Sequence, residues 1–162
     1  MNILSVGTTI PGWTASYSGS YSAVCAIGII NGNGNPNGAG LFNNITHPYP
    51  QMCFIQMYGN SSGSATLSQT INITKAKSYT VSFYVHPRDD SFAGGYNPSQ
   101  QVTLSLNGNS VTSTISSYTA LWIKYSFTTT IASIGNYTLS IIVSTPTPVS
   151  DSTILFTGIS IV

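Results

Sequence analysis

The chain has 162 residues, enough for one domain with a sizeable core, yet only 4% are charged and the net charge is +1. Ordinary soluble domains carry about 25% charged residues; here the apolar fraction of 41% is near normal, and Ser, Thr, Asn, Gly and Gln replace the missing charge. This excludes disorder, which goes with low hydrophobicity and high net charge, and gives no electrostatic footprint for nucleic acid, whose binders cluster Lys and Arg.

A surface near zero charge also favours association between copies. No apolar run reaches the ~18–20 residues of a membrane-spanning helix. The opening, MNILSVGTTIPGW, lacks the basic and long apolar regions of a signal peptide. Either export information has been removed, or the protein leaves its cell another way, for example inside a particle.

Strand signals then follow in chain order. After the Gly/Asn-rich loop NGNGNPNGAG (31–40), suited to positive φ and unsuited to a helix, the segment SATLSQTINI places Ala65, Leu67, Gln69, Ile71 and Ile73 on one face. YTVSFYVH sets Tyr79, Val81, Phe83 and Val85 against Thr80, Ser82, Tyr84 and His86. A second long loop, HPRDDSFAGGYNPSQ, covers 86–100. QVTLSLNG alternates Val102, Leu104 and Leu106 with polar residues and ends in the turn pair Asn107-Gly108. LWIKYSFT sets Leu121, Ile123, Tyr125 and Phe127 against Trp122, Lys124 and Ser126. NYTLSIIV and STILFTGISIV continue the alternation, with STPTPVSD (144–151) predicted to break the last two strands. Period-two alternation rich in β-branched and aromatic residues is the signature of half-buried strands. Many short strands with Gly/Pro-rich turns predict an all-β fold, a two-sheet antiparallel β-sandwich of jelly-roll type. No repeat or composition shift divides residues 1–162, so a single domain is expected.

IPGW (10–13), SGSATLSQTINITKAKSYTVSFYV (62–85), ALWIKYSFTTT (120–130), NYTLSIIV (136–143) and DSTILFTGISIV (151–162) together resemble the galactose-binding-like jelly rolls. These include the carbohydrate-binding modules of secreted glycosidases. The resemblance spans most of the chain in order, and its strongest piece is Ser68-Gln69-Thr70 followed by Tyr79-Thr-Val-Ser-Phe83. It implies the fold, and it implies a glycan or cell-surface polysaccharide as partner. Two departures stand out. The family's usual opening strand, with an Asn-Gly…Phe-Glu pattern, has no counterpart, so an uncovered sheet edge is expected. The acidic pair of the family's last strand, which commonly helps bind structural calcium, is replaced by Phe156-Thr157-Gly158-Ile159. With no Glu and only Asp151 nearby, no metal and no cofactor is expected.

Catalysis is not expected either. Paired-carboxylate hydrolysis needs two acids roughly 5–9.5 Å apart, and the only acids are Asp89, Asp90 and Asp151. Neighbours on a strand end point apart, which disfavours Asp89 with Asp90. Gly59-Asn-Ser-Ser-Gly63 looks like a nucleophile elbow but precedes a strand, where an elbow opens a helix. His47, His86, Cys25 and Cys53 have no metal-ligand spacing. The two cysteines either pair across facing strands or stay as buried thiols. Four sequons, at Asn44, Asn60, Asn72 and Asn136, carry little information in a chain so rich in Ser and Thr.

The binding residues read from the sequence are Tyr84, His86 and Trp122, which face away from the core set. Arg88, Asp89, Asn97 and Gln100 are expected to add hydrogen bonds. An aromatic platform with a few placed polar groups is how such pockets gain orientation. Each has a plainer reading: Trp122 packs, Tyr84 faces the second sheet or another subunit, and Arg88 closes an ion pair with Asp89 and Asp90 that pins the loop, worth about 0–1 kcal/mol if exposed. The expected function is therefore a non-catalytic glycan-binding module, outside the cell or on a particle surface. The alternative is a structural subunit of an ordered assembly, such as a virion decoration, fibre or surface filament. A homo-oligomer is expected, with a neighbour's segment filling the vacant edge.

Overall fold

The alternation of apolar with hydroxyl-bearing side chains folds as strands. In the computed structural model, residues 2–4, 12–19, 26–31, 51–87, 100–115 and 122–162 are described, and they form nine β-strands and no helix. These are β1 (Asn2–Leu4), β2 (Thr14–Gly19), β3 (Ala26–Asn31), β4 (Gln51–Ile73), β5 (Lys77–Pro87), β6 (Gln100–Leu106), β7 (Asn109–Ile115), β8 (Ile123–Ile131) and β9 (Gly135–Ile161).

Every pairing is antiparallel. Two long strands, β4 and β9, pair along their lengths and run through both layers of the sandwich. Residues 51–58 of β4 and 151–161 of β9 lie in a first sheet of order β1-β3-β4-β9-β5-β8. Residues 63–73 of β4 and 135–145 of β9 lie in a second, of order β2-β4-β9-β6-β7.

The crossing point corrects one sequence reading. Residues 144–151 do not split two strands; β9 continues through them. The β4–β9 ladder slips at Asn60, Ser61 and Gly63, Val149 faces both Asn60 and Ser61, and the pairing skips 146–148. Pro146 and Pro148 thus fall in the gap, where no ladder hydrogen bond needs their missing N–H. The same bend absorbs Gly59–Gly63 into β4 rather than leaving it ahead of a strand. At the opening, Asn2–Leu4 pairs with β3 and ends the first sheet among the described residues, and β2 pairs with β4 in the second.

The core lies between the sheets. In the second sheet, Ala15, Leu67, Ile141, Leu104 and Val111 follow one another across five strands, and Leu67, Ile141 and Leu104 are fully buried. The first sheet contributes Val81, Phe83, Val85, Ile154 and Phe156. Asn107 and Gly108 both have positive φ, 53° and 74°. They close the β6–β7 hairpin as a two-residue turn of type I′, whose twist suits the flanking strands.

Candidate functional site

The site lies on the outward face of the first sheet, where β5 runs between β8 and β9. Val81, Phe83 and Val85 point inward and are buried, so Ser82, Tyr84 and His86 fall on the opposite face. Antiparallel register brings Lys124 and Thr157 beside Tyr84, and Leu155 beside His86.

A bulge in β9 makes this alignment possible. Ser82 faces Ser160 and Tyr84 faces Thr157, so two residues, Gly158 and Ile159, oppose Phe83 alone. Gly158 has φ +60°, a conformation in which glycine escapes the Cβ penalty. The extra residue switches the alternation along the strand: Ile154 and Phe156 face the core before it, Ile159 and Ile161 after it. Thr157 is left outward, next to Tyr84. This is the stretch in which the resembling family carries acidic residues.

Trp122, immediately before β8, places its ring centroid 5.2 Å from that of His86, with the planes tilted by 57°. His86 is only 2% exposed, and Leu155, Thr157 and Ser82 on the same face are also buried. The face assignment from sequence holds, but His86 is not open to solvent: it lies beneath the accessible surface. Tyr84 and Trp122 are half-buried and Lys124 is exposed. The Lys124 Nζ stands 5.8 Å from the Tyr84 ring centroid, within cation–π range. The site thus combines two partly accessible aromatic rings, an ammonium group, and a buried imidazole below one ring.

Gln100 does not join this surface. It begins β6 on the inward side, in line with Val102, Leu104 and Leu106, is 4% exposed, and has no hydrogen-bond partner for Nε2. A strand-opening Gln after a polar loop reads as loop in the sequence; the period of two extended back from Val102 places it inside. Arg88, Asp89, Asn97 and Cys25 lie outside the described residues. Sequence reasoning gave Lys124 no role, although its alternation with Trp122 placed it on the same face of the strand. Among the described residues no group of three or more His, Cys, Asp or Glu is placed to hold a metal ion, and no helix is long and apolar enough to cross a membrane.

No family model matches the chain, and no curated sequence is similar to it. Solved structures are similar in fold. TmCBM61 in complex with β-1,4-galactotriose superimposes with a TM-score of 0.57 at 14% identity, covering 93% of this chain and 87% of that one. The enzymatically active domain of bacteriophage CBA120 tailspike protein 4 gives 0.57 at 12% identity, covering 94% of this chain but only 19% of its own length. A carbohydrate-binding module of promiscuous specificity from the β-sandwich superfamily gives 0.51 at 15% identity, covering 95% and 58%. Identities this low speak for fold alone, and on fold they agree with the expectation from sequence: the chain is an all-β, two-sheet antiparallel sandwich, a fold that it shares with these carbohydrate-binding modules.

Proposed function

We propose that this chain is a non-catalytic glycan-binding module whose ligand rests on Trp122 and Tyr84. The single observation that carries this reading is the aromatic pair made half-accessible on one sheet face, with His86 buried under Trp122. Half-buried rings present a flat apolar surface without needing to be ordered on binding, which lowers the entropic cost of capture. Lys124 at the Tyr84 ring, exposed on the same face, supplies a polar group that orients a sugar. Arg88, Asp89 and Asn97, which follow β5 in sequence, complete the proposed ligand set. TmCBM61, with its bound galactotriose, supports this reading by analogy of fold. A surface or extracellular location goes with it. The test is a broad glycan array probed with the unmodified chain: retention on a defined class of polysaccharide is expected, and no binding anywhere on the array removes the proposal.

A second reading, a structural subunit of an ordered assembly such as a virion decoration, is favoured by the net charge of +1 and by the fold shared with part of a phage tailspike. The two readings are compatible, since a subunit that assembles can also present a glycan site.

A further inference from the structure

We infer that two copies of this chain pair through the sandwich edge formed by β7 and β8, with β7 adding to its own counterpart as an antiparallel strand. The inference rests on the assembly reading and gives it a surface.

Four strands end the sheets among the described residues: β1 and β8 in the first, β2 and β7 in the second. A sheet edge presents unpaired N–H and C=O groups, which natural proteins guard with shortness, Lys, Pro or bulges. β1 is three residues long. β8 carries Lys124 on its outward side. β7, Asn109–Ile115, has the sequence NSVTSTI, without a charge or a proline. It pairs with β6 in unbroken register along all seven residues. No bulge turns it away.

The neighbouring side chains add an apolar reason for pairing. At one end the sandwich edge is closed: Asn109 Nδ2 donates to Thr129 Oγ1 across the two sheets at 2.8 Å. From there the inward residues of β8 become steadily more accessible. Ile131 is 0% and Thr129 3% exposed, Phe127 and Tyr125 are half-buried, and Ile123 reaches 38%. Accessibility on the inward side of β8 thus rises away from the Asn109–Thr129 contact, and Ile123 is its most exposed member. A strand added to β7 would satisfy its edge, and the copy that brings it would cover Ile123.

A second copy is the occupant because this edge is complementary to itself. Under a two-fold axis, antiparallel β7 strands match donor to acceptor, the isologous arrangement of most homodimers. The outward side chains of β7 that would meet across the axis are the uncharged Ser110, Thr112 and Thr114, and hydroxyl pairs across strands are favourable. One such pair already exists inside the chain, Thr103 Oγ1 to Thr112 Oγ1 at 2.8 Å. A net charge of +1 adds almost no repulsion between copies.

The experiment is light scattering over a wide concentration range, with circular dichroism to confirm the fold of each variant. The unmodified chain is expected to show a mass of twice the monomer or a multiple of it. Thr112→Lys with Thr114→Lys, at exposed positions of β7, should return it to a monomer at the same concentrations. Ile123→Asp, which leaves β7 untouched, should shift the dissociation midpoint upward at least tenfold. Ser16→Lys, on the β2 edge, should change nothing. An oligomer that persists in the β7 and Ile123 variants, or yields only to Ser16→Lys, overturns this surface and leaves assembly standing. A strictly monomeric unmodified chain overturns both.

Discussion

His86 and Trp122 form a tilted ring pair: the centroids are 5.2 Å apart with the planes at 57°, the imidazole is buried, and the indole is the more accessible of the two. Their roles separate accordingly. In the proposed site Trp122 would contact the ligand, and His86 would hold the indole in place. The packing reading of Trp122 is therefore compatible with the proposed one, because a ring fixed by packing makes a better platform than a free one.

Truncation should separate these roles. Trp122→Ala and Tyr84→Ala are each expected to weaken glycan retention by about tenfold or more, since a stacked ring contributes roughly 1 kcal/mol beyond its area, while the fold survives. His86→Ala removes a buried side chain and should lower unfolding free energy by about 1–3 kcal/mol, read by urea titration. Unchanged binding in both aromatic variants, set against a parent that binds, would move the site elsewhere.

Much of this arrangement was legible in the sequence, for physical reasons that differ by residue. The inward set Val81, Phe83 and Val85 follows from period two alone, and the Asn107-Gly108 turn follows from two adjacent positions that tolerate positive φ. The burial of His86 was not legible, because alternation fixes which face a residue takes and says nothing of what covers that face. Pro146 and Pro148 read as a break because proline lacks the N–H that a central strand donates; only the register shows that they sit where the ladder skips. Gly158 hid in an apparently regular strand. Its bulge reverses the alternation, so Thr157 reached the site by an offset that no count of residues reveals.

Gln100 offers a test of a buried polar group. Its Nε2 is buried without a partner, and leaving such a group unsatisfied costs about 1–3 kcal/mol. Gln100→Met keeps most of the volume and removes the donor. It is expected to be neutral or stabilising in a denaturant titration, where most core substitutions destabilise. A loss above about 1 kcal/mol would mean that the amide has a hydrogen-bond partner in solution.

The hairpin turn isolates a backbone effect. A Cβ built at Gly108 meets nothing within 4 Å, yet φ there is +74°. Gly108→Ala should therefore cost roughly 1–2 kcal/mol through conformation alone, with no steric contribution. Thermal melts of the variant should show a lower midpoint and unchanged circular dichroism. A silent substitution would indicate that the turn relaxes to another type.

Two adjacent residues of β9 test the sandwich itself. Ile141 is fully buried between Leu67 and Leu104 in the row across the second sheet, and Ile141→Ala should cost about 2–5 kcal/mol by lost transfer energy and the cavity left behind. Ile142 points the other way. Its register neighbours are Thr66 and Thr103, with Ser16 and Thr112 beyond them, so it is the apolar member of a row of hydroxyls and is half-buried. Ile142→Thr completes that row with a β-branched residue that suits a strand, and should change stability by no more than about 0.5 kcal/mol, as surface substitutions usually do. Paired urea titrations of the two variants measure the difference. Equal losses would mean that the outward face of the second sheet is covered, and the assignment of inside and outside in β9 would fail with it.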